Sequence, residues 1–342
     1  MVVDSGKSLT QFQKSKKLNT LITMGSRLEK ELTIDRIFLN IASLIDIAWQ
    51  RKMSKLFHLT CLFASLLTHY SGANVIVVDD LGARVEISEP IRRIVSLAPN
   101  LTELLFEIDA GNLIVGADEY SNYPPQANSI QRVNNHSIVN YEAITALQPD
   151  IIFAWSSGNG ISTINRLKSL GLRVFSFEIS RLEDFSGVYQ RLGVLTGRID
   201  ESKKMTNKFN RELESISNRF SKLEKVRTLY QVWDNPLMTV NNQHIISEII
   251  SICGGVNIFG NLDSLTPIIS LEAVLSENPR VILSSGNEKD SRDLFEFWGK
   301  WKDVDAVKNK NLFLVPPDLL ARQTFRILSG AEYLCQFLEQ SR

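Results

Sequence analysis

The sequence predicts an α/β protein of two similar lobes, joined by one long helix, with a ligand cleft between them. Three observations carry this. Residues 142–154 recur in type at 272–284, each copy a short helix stopped by a proline (Pro149, Pro279) and followed by an apolar run rich in β-branched residues. Runs of that composition suit strands buried on both faces of a parallel sheet. One supersecondary unit repeated 130 residues apart is too widely spaced for a solenoid, which leaves two related lobes. The third observation is a single amphipathic stripe between the copies, and clefts between lobes are where ligands bind.

The elements follow in order. Residues 75–78 and 84–87 flank Asp79-Asp80-Leu81-Gly82, a hairpin signal. Residues 94–97 read as a buried strand, and Pro99-Asn100 with Thr102-Glu103 open a helix through Phe106. Strands are expected at 113–116, 151–154 and 174–177 in the first lobe, and at 228–232, 281–283 and 312–315 in the second. Met205, Phe209, Leu213, Ile216, Phe220 and Leu223 recur every three or four residues with no Pro or Gly between them, which predicts one helix over 200–225. At 1.5 Å per residue it would run close to ~40 Å. The expected organisation is a first lobe at 74–199, the linking helix at 200–225 and a second lobe at 226–342.

The chain of 342 residues is 44% hydrophobic and 22% charged, the balance of a globular protein. Its formal charge of zero conceals an asymmetry: residues 1–73 hold 10 Lys/Arg and 5 Asp/Glu, leaving 28 against 33 beyond them. An acidic body gives no encouragement to nucleic-acid binding. Within the first 73 residues, Arg51, Lys52 and Lys55 precede an apolar run from Leu56 to about Tyr70, and Ser71-Gly72-Ala73 supplies the small residues a signal peptidase needs. The segment 53–73 is therefore expected to be a cleaved secretory signal, the alternatives being an uncleaved anchor or a buried helix. Translation is expected to start at Met53, with 1–52 not part of the working protein. Cys61 falls inside the apolar run, and no lipoprotein pattern surrounds it. Cys253 and Cys335 remain, an even count that in an exported chain favours a disulfide over two unpaired thiols.

No phosphate-binding loop, nucleophile elbow, zinc-protease motif or dinucleotide fingerprint is present. His136 and His244 stand far apart, so a transition-metal site has little support, and no carboxylate pair stands out for acid–base work. The sequence instead offers aromatic rings near strand ends. Trp155 follows the strand at 151–154 and precedes the flexible Ser156-Ser157-Gly158-Asn159-Gly160, where ligands of open α/β sheets sit; its bland reading is a core tryptophan. Tyr123 lies in the proline-rich loop 120–125, and Trp233 closes a strand of the second lobe; either ring could be packing. Asp318 and Arg322, four apart, would share a helix face as a surface ion pair or as a polar pair reaching a ligand.

Ser96-Leu97-Ala98-Pro99-Asn100-Leu101-Thr102-Glu103-Leu104, Tyr120-Ser121-Asn122-Tyr123-Pro124-Pro125-Gln126-Ala127, Leu147-Gln148-Pro149-Asp150 with Ala154-Trp155, Ser169-Leu170-Gly171, Cys253-Gly254-Gly255 with Asn257-Ile258-Phe259, and Leu334-Cys335 occur in that order. Together they resemble the cobalamin-binding periplasmic proteins of Gram-negative bacteria, the substrate-binding components of ATP-driven importers. The resemblance covers residues 90–340. It implies a rigid linking helix, a cobalamin held between the lobes as transported ligand and not as a cofactor, a monomer in the periplasm, and no catalysis. It maps the family's disulfide onto Cys253 and Cys335, its pocket rings onto Tyr123 and Trp155, its amide-binding pair onto Asp318 and Arg322, and one permease-docking acid onto Glu272. Pro99 and Asn100 are expected to orient the ligand through backbone groups, and Trp233 to add a third ring. The second docking acid falls on Ile161, and two pocket tryptophans fall on Thr266 and Ser176. These departures admit another corrinoid, a haem or an iron siderophore in the same fold; a two-lobe enzyme with a cleft active site is the rival of a different class.

Overall fold

In the computed structural model the described residues are Trp49, 75–134 and 138–342. The chain divides into two units, Met1–Gly72 and Ala73–Arg342, and the architecture below is that of the second. The expected signal, Met53, Cys61 and His136 lie outside the described residues, as does the upstream segment apart from Trp49. No helix among the described residues is long and apolar enough to cross a membrane.

The second unit opens with an antiparallel hairpin, β1 (Val75–Val78) and β2 (Arg84–Ile87), in the register Val75↔Ile87. Its turn is made by Asp79, whose Oδ1 accepts from the N–H groups of Leu81 (3.0 Å) and Ala83 (2.7 Å), and by Gly82 at φ 81°. A side chain that mimics a backbone turn is why Asp is favoured there. Asp80 in turn receives Arg191 and the N–H of Glu178, which fastens the hairpin to the first lobe.

The first lobe is a parallel five-stranded sheet in the order β5-β4-β3-β6-β7, built from β3 (Ile94–Ser96), β4 (Ile114–Asp118), β5 (Arg132–Asn134), β6 (Ile151–Trp155) and β7 (Val174–Phe177). Its helices are α1 (Pro99–Glu107), α2 (Tyr141–Ala146), α3 (Ser156–Asn159), α4 (Ile161–Ser169) and α5 (Asp184–Thr196). The four apolar residues that begin β6 are fully buried, as a strand covered on both faces requires. Of residues 156–160, expected as a flexible loop, Ser156–Asn159 instead form the single turn of α3, because Glu178 accepts from both the N–H and the hydroxyl of Ser157 and stabilises the turn's start.

Helix α6 (Ile199–Phe220) links the lobes. Its 22 residues span about 33 Å. Phe209, Ile216 and Phe220 are buried along the predicted stripe, and Phe209 stacks on Phe185 of α5 at 4.3 Å between ring centroids. Such a ring pair adds about 1 kcal/mol beyond its buried area. The helix stops at Phe220, short of residue 225, where Lys225 Nζ turns back to the carbonyl of Ser221 (2.9 Å) and the chain enters the second sheet at Val226.

The second lobe repeats the plan with strands β8 (Val226–Gln231), β9 (Trp233–Asp234), β10 (Leu237–Met238), β11 (Gly255–Asn257), β12 (Val281–Ser285) and β13 (Leu312–Val315). The parallel sheet runs β11-β8-β12-β13, so β8 and β12 hold the places of β3 and β6. Helices α7 (Ile245–Ile252), α8 (Leu271–Glu277), α9 (Glu288–Trp298), α10 (Asp305–Lys308), α11 (Pro317–Ala321) and α12 (Ile327–Gln340) complete it. The strand expected at 228–232 ends at Gln231, and Trp233 does not close it: the ring belongs to a separate hairpin in which Trp233 pairs with Met238. Cys253, at the end of α7, is bridged to Cys335 in α12, both fully buried and 82 residues apart in sequence. A loop of that length is rated at about 4 to 5 kcal/mol by the chain-entropy model.

One apolar cluster continues from Ile94, Leu101 and Phe177 through Phe209 and Phe220 to Val226, Tyr230 and Leu334. The lobes therefore share a core across α6. Separate clusters cover the outer faces of the two sheets, around Ile152 and Ile164 in the first and around Leu229 and Trp298 in the second.

Candidate functional site

Helix α1 leaves the carboxyl end of β3 with Pro99 in its first turn, where a missing N–H costs nothing. Asn100 follows and is buried, its Oδ1 without a hydrogen-bond partner. One and two turns further, Glu103 and Glu107 lie four residues apart on one helix face. Glu103 is 1% exposed, yet it is not isolated: its Oε1 accepts from Arg322 Nη1 (2.9 Å) and Arg326 Nη2 (2.7 Å), and its Oε2 from Arg326 Nε (2.9 Å). Both arginines come from the second lobe, in the segment between α11 and α12. Glu107 accepts the N–H of Phe325 from the same segment at 3.0 Å and the hydroxyl of Tyr189 at 2.5 Å. Burial pushes its carboxyl up from 4.5 to about 7.

The loop after β4 is held from beneath. Asp118 accepts from the N–H of Tyr120 (2.8 Å) and from Asn134 Nδ2 (2.7 Å), while the buried Ser121 hydroxyl meets Thr102 at 2.8 Å. Burial raises the Asp118 carboxyl above the usual range. The loop thereby presents Tyr120 and Tyr123, 53% and 43% exposed. The Arg326 guanidinium lies 4.0 Å from the centre of the Tyr123 ring, a cation–π contact, and Asn122 beside it accepts from Arg322 Nη1 at 2.8 Å. Arg322 also meets Asp318 at 3.3 Å. That pair is not a free surface ion pair, because the Arg322 side chain is only 10% exposed and is committed to three partners.

Trp155 ends β6 half-buried, with its Nε1 donating to Glu178 at 3.0 Å and its backbone N–H to Asn159 Oδ1 at 2.8 Å. Asn159 continues the tie to the carbonyl of Leu97 at 2.9 Å, so α3 is locked to the neighbouring strand end. The ring lies on Gly158, where an added Cβ would approach Trp155 Cε3 to 2.0 Å. The indole orientation is thus fixed by one hydrogen bond and one glycine. Trp233 is 60% exposed, and its Nε1 donates to the carbonyl of Asn235 at 3.0 Å. It walls a cavity of about 370 Å³ at the carboxyl edge of the second sheet, together with Gln231, Ser284, Ser285 and Phe297.

The structure joins Tyr123, Asp318 and Arg322 in one bonded cluster across the two lobes, and places Trp155 and Trp233 at the carboxyl edges of the two sheets. Sequence reading missed Glu103, Glu107 and Arg326. Their signal was present as two acids four apart in a buried helix and two arginines at the matching spacing of four, but nothing local says that they pair. His244 serves the fold by capping α7, its Nδ1 accepting the N–H of Ile246 at 3.2 Å, and burial lowers its pKa. No group of three or more metal-ligating side chains occurs among the described residues.

A family model described as periplasmic binding protein matches residues 94–319. The chain belongs to that family. This periplasmic binding protein is 32% identical over 250 residues to the vitamin B12-binding protein of Vibrio cholerae serotype O1, covering 73% of the chain and 90% of the relative. The corresponding protein of Photorhabdus laumondii is 29% identical over 249 residues, with 73% and 88% covered. Among solved structures, that of the periplasmic vitamin B12 binding protein of Vibrio cholerae superposes with a TM-score of 0.67 at 32% identity, over 74% of this chain and 98% of that one. The periplasmic heme-binding protein of Roseiflexus sp. RS-1 gives 0.64 at 16% identity over 73% and 99%, a likeness of fold alone.

The positions where the chain departs from the cobalamin-binding pattern are now placed. Ser176 is fully buried within β7 and faces no cleft. Thr266 is partly buried, and Ile161 is 50% exposed at the start of α4. Glu272 is exposed in the first turn of α8, behind the cap of Ser270. The internal repeat puts Glu142 at the same place in the first lobe, exposed in the first turn of α2 behind the cap of Asn140.

Proposed function

We propose that this periplasmic binding protein is exported, captures cobalamin or a related corrinoid between its lobes, and hands it to the permease of an ABC-type importer. The observation that carries the reading is the 32% identity to a vitamin B12-binding protein over nine-tenths of that relative's length. In this reading the rings of Tyr123, Trp155 and Trp233 supply apolar area against a large flat ligand. Asp318 and Arg322 bond its polar edge, and Pro99 with Asn100 place first-turn N–H groups of α1 at the cleft. The shared core keeps the lobes in one arrangement, so capture depends on a preformed surface and not on closure. The mature protein begins near Asn74 and acts as a monomer without catalysis.

Docking is assigned to Glu142 and Glu272 together, because the repeat sets an exposed acid at equivalent places on the two lobes. Paired acids on a rigid body suit a partner with basic patches, and such pairing steers encounter. The ligand is tested by calorimetric titration with cobalamin, haem and a ferric siderophore in parallel. Cobalamin should bind at micromolar concentration or below, about −8 kcal/mol or better. Saturable binding of haem or siderophore with no heat from cobalamin would replace the ligand and keep the transport role; turnover of any bound ligand would favour an enzyme instead.

A further inference from the structure

We infer that Glu103 is the positioning residue of the cleft: a carboxylate of the first lobe that sets Arg322 and Arg326 of the second lobe, and through them the Tyr123 ring, before any ligand arrives. The inference deepens the ligand reading above and rests on it for the identity of the probe.

Glu103 sits among fully buried Leu101, Leu104 and Leu105. An ionised carboxylate in such surroundings persists only when its charge is matched and its oxygens are bonded. Both conditions are met solely by groups from across the seam, through the three N–H···O contacts of 2.7 to 2.9 Å described above. Those contacts fix more than the lobes' separation. Two bonds from one guanidinium to one carboxylate set its plane, and the plane of Arg326 is the surface that lies on Tyr123. Arg322 is held between Glu103, Asn122 and Asp318, so its direction also follows from Glu103. Removing the carboxylate leaves two cations with no common anchor: Arg326 loses the bonds that set its plane, and Arg322 keeps only Asn122 and Asp318.

Glu107 supplies an internal control. It crosses the same seam from the same helix, but its hydrogen bonds go to the backbone N–H of Phe325 and the Tyr189 hydroxyl, and it acts on Arg326 through space, without a hydrogen bond. A role as lobe glue would be shared by both acids; hydrogen-bonding the two arginines that set the ligand surface belongs to Glu103.

The test uses the mature protein with cobalamin as probe. Glu103→Gln should weaken binding about tenfold or more, while Glu107→Gln changes it less than about twofold even where both lower the melting temperature. Glu103→Gln combined with Tyr123→Ala should bind no worse than the poorer single variant, since both remove one arrangement. Without ligand, the NMR ring resonances of Tyr123 should move in Glu103→Gln and stay in Glu107→Gln. If Glu103→Gln fails to fold, Glu103→Asp carries the test, with the ring resonances displaced and the affinity intermediate. Unmoved Tyr123 resonances, or independent multiplicative losses in the double variant, would overturn the inference. If the wild type ignores cobalamin, the ligand reading fails by itself and the ring resonances still decide the role of Glu103.

Discussion

Arg93 and Arg227 make the same grip in the two lobes. Arg93 donates through Nε (3.1 Å) and Nη2 (2.5 Å) to the carbonyl of Leu147, and Arg227 through the same two nitrogens (3.2 and 2.6 Å) to that of Glu277. Their own carbonyls accept the N–H groups of Asp150 and Arg280, at 2.8 and 2.9 Å. The residues after the two carbonyls, Gln148 and Asn278, both turn left-handed, at φ 45° and 43°. The repeat is therefore reproduced down to the bonds that satisfy a carbonyl at the C-terminal end of α2 and of α8 before each strand begins.

Because each grip closes one helix-to-strand turn, Arg93→Ala and Arg227→Ala should each cost about 1 kcal/mol. In a protein of this size that lowers the melting temperature by roughly 2 to 4 °C. The sites share no partner, so the double variant should lose the sum of the two. Calorimetry on the three variants checks it; a double loss well below the sum would mean that the turns are coupled.

One component of the pH dependence follows from Glu107. Its folded pKa of about 7 lies above the ordinary 4.5, so below 4.5 the proton is bound in both folded and unfolded chains and no stability is lost. Between 4.5 and about 7 the unfolded chain releases the proton more readily, and stability declines as pH rises. Glu107→Gln keeps an acceptor for Phe325 and removes the charge. Its denaturation midpoints should stay flatter than those of the wild type across that window; parallel curves would show that another group governs the slope.

Trp155 is held by the absence of a side chain at Gly158. A methyl group there would collide with the ring, so Gly158→Ala should displace the indole and weaken cobalamin binding by roughly 1 to 3 kcal/mol, as Trp155→Ala should. The α3 turn itself tolerates alanine. Titration of both variants, with circular dichroism to follow the fold, tests the pair; full affinity in Gly158→Ala would remove Trp155 from the ligand surface.

Charge reversal at the acids proposed for docking separates delivery from capture. Glu142→Lys and Glu272→Lys are both exposed changes. Each should leave the cobalamin affinity within about twofold while uptake falls several-fold, and the pair should fall further. Uptake and binding are measured on the same preparations, and equal losses in both would put the acids in the pocket.

The linking helix and the inner strands were legible because burial imposes a period on the sequence. Phe209, Ile216 and Phe220 had to be apolar to enter the shared core, as did all of β6 and the first three residues of β12. The edge strands β5 and β11 have three residues each and mix Arg, Asn and Gly with valine, so no period survives in them. The hairpin at Trp233 escaped notice because two-residue strands carry no alternation. For the site, the rings were visible as residue types near strand ends, whereas the Glu103–Arg322 contact joins residues 219 apart and only the packed lobes create it.

The core that runs through α6 makes folding a joint enterprise. Ile94 and Leu334 belong to one apolar cluster, so neither lobe closes its inner surface without the other. Heat should melt the two together in one cooperative transition, with calorimetric and van't Hoff enthalpies in agreement. A chain severed between Phe220 and Val226 would yield two fragments with half a core each, soluble as partners and sticky alone. Modularity, which the repeated sheets suggest at first sight, is absent at the level of stability.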